Sequence, residues 1–182
     1  LVVGGIIGLF KGVIVSTQDI PPFIVTLALM TILRGLAFVY TSGRPIYVDS
    51  DIFRFLGRGY IGPIPVPVIL MVIVGLIGHI ILSKTKFGRY IYAVGGNEEA
   101  ARLCGVDVKK VLMGVYVFAG VLTAFSGIIL ASRLSTGSPN VGVGAELDAI
   151  AAVILGGTSF MGGIGTIGGT FIGVGIMGIL NN

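Results

Sequence analysis

Long apolar runs separated by short polar segments extend along the chain from its first residue. A helix needs about 20 mainly apolar residues to cross the roughly 30 Å hydrocarbon core of a bilayer. Four runs approach or reach that length, at positions 1–16, 23–41, 64–82 and 111–132. The last of them contains no charged residue. The pattern therefore predicts an all-α fold, a polytopic transmembrane helix bundle.

The apolar pattern weakens after position 146. Positions 147–155 are mainly apolar but too short to cross a bilayer alone, and a glycine-rich apolar run follows at 164–180. Four glycines interrupt the sequence between them, at Gly156, Gly157, Gly162 and Gly163. We expect the 147–161 segment to be a half-helix, a re-entrant segment or a short span. The bundle is thus predicted to contain a broken or re-entrant helix.

Composition excludes a water-soluble domain. Of the 182 residues, 54% are hydrophobic, 11% are charged and 31 are glycine. Soluble chains carry about 25% charged residues, so membrane lipid must surround most of this surface. The lone Cys104 excludes an intrachain disulfide framework. Because the chain opens without Met inside an apolar run and ends directly after another, we expect it to be an interior fragment of a longer membrane protein.

The basic residues predict the orientation in the membrane. Short cytoplasmic loops accumulate Lys and Arg, and six of the 12 basic residues lie within 84–110. That segment is predicted to be cytoplasmic, which places the 17–20 link inside and both 42–62 and the stretch after 132 outside. Three arginines of the outer loop argue against this assignment, Arg44, Arg54 and Arg58. Two acids of the same loop, Asp49 and Asp51, partly offset their charge.

The 84–110 segment carries the signals of a short helix with both ends marked. Asn97 is a favoured N-cap residue, and Glu98 and Glu99 follow in the first turn, where they complement the helix dipole. Gly105 suits a left-handed position at the C-terminal end, and Asp107 can cap a second helix. Two interpretations stay open. The segment is either a solvated connector held near anionic headgroups or a docking surface for a cytoplasmic partner.

The same segment resembles a known family. Residues 99–105, Glu-Ala-Ala-Arg-Leu-Cys-Gly, look like the Glu-Ala-Ala, three residues, Gly core by which bacterial ABC importer permeases contact their ATPase subunits. Other runs are similar to the ribose-type sugar permeases, within the branched-chain amino acid/sugar permease family of binding-protein-dependent importers. These runs are 22–27 (Pro-Phe-Ile-Val-Thr-Leu), 34–35, 43–46, 85–90, 95–97 and 146–159. The likeness covers nearly the whole chain.

The resemblance implies a permease subunit of an ATP-driven importer of a monosaccharide such as ribose, in the bacterial cytoplasmic (inner) membrane. Residues 1–182 would be a fragment of one transmembrane permease domain, with 84–110 as its cytoplasmic coupling loop. The implied partners are an ATP-binding ABC subunit, an extracytoplasmic sugar-binding protein and a second permease copy or homologue. The residues implied to contact the ATPase are Gly96, Asn97, Glu98, Glu99, Ala100, Ala101, Arg102, Leu103 and Gly105.

The residues themselves exclude several other roles. The sequence has no Gly-x-x-x-x-Gly-Lys-Ser/Thr phosphate loop, so the energy must come from another chain. No catalytic or metal-ligand pattern is present, and neither a cofactor nor a nucleic-acid partner is expected. A glycine-rich channel or secondary transporter for another small polar solute is the alternative function. Such transporters usually carry intramembrane acids for ion coupling, which the four clear runs lack.

Candidates for the substrate pathway are few. Arg34 lies inside the second run, where it either snorkels, pairs with Glu146 or Asp148, or faces the pathway. Asn140, Glu146 and Asp148 are further pathway candidates, with helix capping the alternative for the two acids. Glycines repeat at a spacing of four in two triplets, which we expect to be mainly packing faces. The triplets are Gly4, Gly8, Gly12 and Gly165, Gly169, Gly173.

Overall fold

A computed structural model describes residues 1–18 and 20–180, so Asp19 of the predicted 17–20 link lies outside it. The all-α prediction is confirmed: these residues form nine helices and four strands of two residues each. The helices are α1 Val2–Thr17, α2 Pro22–Thr41, α3 Asp51–Arg58, α4 Val66–Lys84, α5 Lys86–Gly96, α6 Glu98–Leu103, α7 Val108–Leu134, α8 Ala145–Leu155 and α9 Ile167–Leu180. The strands are β1 Ile46–Tyr47, β2 Tyr60–Ile61, β3 Ile64–Pro65 and β4 Thr136–Gly137.

Three of the described helices, α2, α4 and α7, are long and apolar enough to cross a membrane. With 20, 19 and 27 residues, they rise about 30, 28 and 40 Å. They coincide with the predicted runs 23–41, 64–82 and 111–132 to within three residues at each end. The third run starts late because Ile64 and Pro65 pair with β2 in a hairpin. Its turn includes Gly62 in the left-handed region, at φ 63°.

The apolar side chains of these helices are largely exposed within the chain. Val39 on α2 is 79% exposed and Leu76 on α4 is 58% exposed. Water does not tolerate contiguous apolar surface of this extent, and a helix satisfies its own backbone groups in lipid. Lipid or another protein must therefore cover these exposed faces.

The described residues form two compact units, one from 1–71 with 112–141 and one from 72–111 with 142–180. In the first unit, α1 packs antiparallel against α7 through the predicted glycine triplet. A Cβ on Gly12 would lie 2.8 Å from Cα of Met113, and one on Gly8 would lie 2.9 Å from Cα of Val117. Real Cβ atoms do not come this close, so glycine alone permits the crossing. The packing prediction is confirmed for this triplet.

The same unit contains a layer that the sequence did not predict. Within the 42–62 loop, α3 forms a short helix, and β1 pairs antiparallel with β4, opposing Ile46 to Gly137. This pairing brings the segment after α2 together with the segment after α7. Both segments therefore lie at the same end of the unit, as alternating crossings require.

In the second unit, α8 and α9 form an antiparallel hairpin. A Cβ on Gly156 would lie 2.6 Å from the carbonyl carbon of Gly169, and one on Gly173 would meet Ala152 and Gly156. The second predicted triplet is therefore only partly a helix face. Gly165 precedes α9, because the Thr166 side chain accepts a hydrogen bond from the Gly169 amide at 3.0 Å and starts the helix there.

The prediction that 147–161 is not a full-length span is confirmed. Helix α8 has 11 residues, a rise of about 16 Å or half of the hydrocarbon core. Gly157, at φ 83°, ends it in a Schellman motif. The amides of Gly157 and Thr158 bond to the carbonyls of Ile154 and Val153 at 2.9 and 3.2 Å. The chain then continues without helix to Thr166, a segment we call the 156–166 loop.

Candidate coupling site

The 84–110 segment is folded throughout, as two helices that lead into α7. The first, α5, was missed by the sequence reasoning. Thr85 holds the join between α4 and α5, since its hydroxyl donates to the Ile81 carbonyl at 2.6 Å and accepts from the Gly88 amide at 3.1 Å. A Cβ on Gly88 would lie 2.6 Å from the carbonyl carbon of Leu82. A threonine three residues before a glycine was the only available signal.

Helix α6 has the two ends that the sequence predicted. Asn97 Oδ1 accepts a hydrogen bond from the Ala100 amide at 2.9 Å, which is the N-cap geometry. Gly105 adopts φ 82°, and the amides of Gly105 and Val106 both bond back into the helix at 3.0 Å, completing a Schellman motif. Such double capping makes a six-residue helix a defined element rather than a fluctuating turn.

The side chains of α6 divide into an inner and an outer set. Ala101 is only 5% exposed, whereas Leu103 is 85% exposed. Glu98 and Arg102 form an ion pair at 2.8 Å along the surface, and Gly96, Glu99 and Ala100 are exposed. Ala101 therefore packs mainly within this chain. Leu103 presents an unshielded apolar side chain at the end of the helix.

Asp107 caps the start of α7, as predicted. Its Oδ1 accepts from the Lys110 amide at 3.2 Å, and its Oδ2 pairs with Lys110 Nζ at 2.8 Å. The side-chain hydrogen bond from Lys110 lowers the pKa of the Asp107 carboxyl, with smaller contributions from the Lys110 amide and from Lys109. The carboxylate is consequently ionised at neutral pH, where it best complements the N-terminus of a helix.

The end of α5 touches the 156–166 loop. A Cβ on Gly95 would lie 2.7 Å from the Gly163 amide nitrogen, and one on Gly163 would lie 2.7 Å from Cα of Gly96. Nearby, the Tyr92 hydroxyl donates to the Gly165 carbonyl at 2.7 Å. Two glycine pairs thus let two backbones meet directly. The sequence shows both pairs, Gly95-Gly96 and Gly162-Gly163, but nothing in it says that they face each other.

A cavity of about 220 Å³ borders this contact. Its walls come from the end of α4, from α5, from the 156–166 loop and from the first turn of α9. The residues that line it include Leu82, Tyr92, Thr158, Gly163, Ile167 and Thr170. Space beside the contact gives the loop room to move relative to α5.

The predicted pathway residues are divided between the two units. Arg34 is half-buried on α2 in the first unit, whereas Glu146 and Asp148 occupy the first turn of α8 in the second. Ion pairs within residues 1–18 and 20–180 join other partners. Gly144, at φ 88°, is the N-cap of α8, and no side chain caps this helix by a hydrogen bond. The two acids therefore interact favourably with the dipole of α8 through their position in its first turn, without capping it.

Asn140 is exposed in the turn before α8, where its backbone N–H donates a hydrogen bond to Ser138 Oγ at 3.4 Å. It belongs to the first unit. In the described part of the chain, no three His, Cys, Asp or Glu side chains are grouped closely enough to hold a metal ion. A role in the substrate pathway stays a proposal for all four candidates, Arg34, Asn140, Glu146 and Asp148.

Comparison with known proteins gives consistent matches over the whole chain. Residues 1–182 match the family described as "Branched-chain amino acid transport system / permease component". The ribose import permease protein RbsC of Haemophilus influenzae is 49% identical over 100% of this chain and 58% of its own length. RbsC of Bacillus subtilis is 51% identical over 94% of the chain and 54% of its own length.

The L-arabinose ABC transporter permease protein AraH of Azospirillum brasilense is 42% identical over 96% of the chain and 52% of its own length. The chain therefore spans about half the length of these relatives. No solved structure matches the chain. With a family match over its full length and three helices able to cross a bilayer, the chain belongs to the branched-chain amino acid transport system permease family and is a multi-pass protein of the cytoplasmic (inner) membrane.

Proposed function

We propose that this chain is part of the membrane-spanning permease subunit of an ATP-driven, binding-protein-dependent importer of a monosaccharide such as ribose. Residues 1–182 would form part of one transmembrane permease domain. Relatives named for ribose import and for L-arabinose transport, at 41–51% identity over nearly the whole chain, support a pentose as cargo. The proposed partners are an ATP-binding subunit inside the cell, a sugar-binding protein outside it and a second permease copy.

One observation carries the coupling part of this proposal. Helix α6 is doubly capped, and it exposes Leu103 and Glu99 while Ala101 anchors it to the rest of the chain. A short rigid helix of this kind can pass force between two subunits, since a flexible connector would absorb it. An ATPase partner would bury the apolar Leu103 side chain, which water leaves poorly solvated.

The contact between α5 and the 156–166 loop extends the proposal into the membrane. A displacement of α6 moves α5, because Asn97 alone separates the two helices. The end of α5 abuts Gly163, and Tyr92 is hydrogen-bonded to Gly165. The break between α8 and α9 would therefore follow the motion of the ATPase. Arg34, Asn140, Glu146 and Asp148 remain our candidates for weak contacts with the sugar along the pathway.

Reconstitution of the full-length permease tests the function. The permease is combined in liposomes with its ATP-binding subunit and with a binding protein loaded with either ribose or arabinose. Sugar-dependent stimulation of ATP hydrolysis with accumulation of that sugar supports an importer. Transport that continues without ATP or binding protein would instead identify a channel or secondary transporter.

A matched pair of variants tests the coupling helix. Leu103→Ser removes the exposed apolar contact, and Cys104→Ser at the next exposed position is the control. We expect Leu103→Ser to weaken binding of the ATP-binding subunit by about 10- to 150-fold, for a buried leucine contact of about 1.5–3 kcal/mol, and so to lose the subunit during purification. Cys104→Ser should retain it. Equal retention in both variants would refute the assignment of α6 as the contact.

A further inference from the structure

A second cavity lies in the first unit. It has a volume of about 640 Å³. Its walls come from the end of α3, from the β2–β3 hairpin, from the first turn of α4 and from the last turn of α7. The lining residues are Gly57, Arg58, Tyr60, Pro65, Pro67, Val68, Arg133 and Leu134. The cavity thus sits at the level where one membrane-length helix begins and another ends.

Two arginines are held side by side on this cavity by a tight junction between α3 and α7. A Cβ on Gly57 would lie 2.6 Å from the carbonyl carbon of Ser132, so the helices meet backbone to backbone. Ser132 is fully buried and its hydroxyl donates to the Phe53 carbonyl. Arg58 Nε donates to the Arg133 carbonyl at 2.6 Å. The fold therefore holds the Arg58 side chain against the Arg133 backbone, and both arginine side chains are exposed at the cavity.

The two positive charges have no acidic partner in the described part of the chain. Among residues 1–18 and 20–180, the ion pair of this outer layer joins Arg54 to Asp49, and neither Arg58 nor Arg133 takes part in one. Each arginine lies in the last turn of a helix, where the dipole offers partial compensation only. These are also arginines on the side where short loops normally carry few. An anion in the cavity would account for both features.

The remaining walls of the cavity are mainly apolar. Pro65, Pro67, Val68 and Leu134 line the cavity beside the two arginines. Val68 and Leu134 are each 42% exposed, on helices that are long enough to span a bilayer. Tyr60, which is 66% exposed, belongs to the residue type that concentrates at headgroup level. A ligand that fits this site carries an anion at one end and hydrocarbon at the other.

We propose that the cavity binds the phosphodiester headgroup of an anionic phospholipid, with its acyl chain along Val68 and Leu134. Guanidinium groups bind phosphate oxygens through paired, charge-assisted hydrogen bonds. The site does not depend on the importer function. Only its assignment to the outer leaflet rests on the orientation proposed above. A lipid phosphate in the cavity would explain why this side of the membrane carries arginines.

The full-length permease, purified and delipidated in a neutral detergent, allows a direct test. Phosphatidylglycerol is titrated against zwitterionic phosphatidylcholine, and lipid retention is read by native mass spectrometry together with the shift in melting temperature. The test variant is Arg133→Gln, because the backbone carbonyl that anchors Arg58 is kept. The control is Arg44→Gln. Arg44 is an exposed arginine of the 42–62 loop that does not line the cavity.

We expect phosphatidylglycerol to be retained and to raise the melting temperature more than phosphatidylcholine does. Arg133→Gln should require about tenfold more phosphatidylglycerol for the same shift, since it loses charge-assisted bonds, and Arg44→Gln should match the parent. Inorganic phosphate at millimolar concentration should give no shift. If Arg133→Gln does not purify, Arg133→Lys should show an intermediate affinity, because it keeps the charge but loses the fork.

Three results would overturn the proposal. Equal retention of the two lipids by the parent protein would remove any preference for an anionic headgroup. An equal shift with inorganic phosphate would make the cavity a site for free anions. Unchanged phosphatidylglycerol binding in the arginine variants, together with weaker association of a sugar-binding protein, would assign the two arginines to a protein interface instead.

Discussion

Replacing Gly95 by alanine should uncouple α5 from the 156–166 loop, and the neighbouring Gly96 offers a matched control. A Cβ at position 95 would lie 2.7 Å from the Gly163 amide nitrogen, whereas a Cβ at position 96 meets nothing within 4 Å. Both glycines lie in α5, so both substitutions gain the same helix propensity of up to about 1 kcal/mol. The two variants differ only in the contact with the loop.

The magnitude follows from the geometry. Ordinary van der Waals contact begins at 3.4 Å, so the 162–163 backbone must retreat by 0.7 Å to admit the methyl group. Overpacking of this kind costs about 1–3 kcal/mol, and loss of the Tyr92–Gly165 hydrogen bond adds about 1 kcal/mol. After the propensity gain, the local destabilisation is about 1–3 kcal/mol. Opening of the loop should then be favoured at least fivefold.

Hydrogen exchange followed by mass spectrometry on the peptide covering 156–166 measures this opening. The Thr158 amide, bonded to the Val153 carbonyl of α8 at 3.2 Å, is a reporter at the junction that movement of the loop would open. Gly95→Ala should exchange at least fivefold faster than Gly96→Ala, and should transport less sugar per ATP hydrolysed. If the two variants exchange and transport alike, the contact does not link α5 to the loop.

Three further predictions concern other glycines and the orientation. Gly105→Val should cost about 1 kcal/mol locally, because φ is 82° there. It should abolish sugar-stimulated ATP hydrolysis while insertion stays normal, and parent activity would reduce α6 to a tether. Gly173→Ala should lower thermal stability by about 1–3 kcal/mol through the clash with Ala152, unlike Gly175→Ala, which has open space. The exposed Cys104 should resist impermeant thiol reagents in intact cells, and labelling without lysis would reverse the orientation.

Features that depend on local chemistry could be predicted from the sequence. The long apolar runs fixed α2, α4 and α7 because crossing a bilayer sets a length that a run of residues reveals directly. The ends of α6 were predictable because Asn97 bonds to an amide three residues away and Gly105 needs only its own φ. The apolar runs are continuous in sequence, and the two capping signals lie within about one helical turn of the groups they bind.

Contacts between segments distant in sequence could mostly not be predicted, and the glycine face between α1 and α7 is the exception. Helix α5 contains Gly88, Gly95 and Gly96, which are poor helix formers, and it forms because Thr85 and close backbone contacts hold it in place. Helix α3 lies in a loop whose charges were informative only about the orientation in the membrane, and its partner Ser132 is 79 residues from Phe53 in sequence. The burial of Ala101 could likewise not be predicted, because nothing in the sequence distinguishes it from the exposed Ala100.

The hydrogen bonds of the 156–166 loop explain how it could transmit motion without unfolding. Non-helical backbone is tolerated at membrane depth only where its polar groups are satisfied by protein or by water in a cavity. Here the Ser159 amide bonds to the Ile164 carbonyl at 2.9 Å and the Gly162 amide bonds to the Ser159 carbonyl at 3.2 Å. Because these partners lie inside the loop, displacing it as one body breaks none of them. The cost of motion then falls on the contacts that the loop makes with its neighbours: the glycine packing against α5 and α9, the Tyr92–Gly165 hydrogen bond, and the amide bonds of Gly157 and Thr158 to α8.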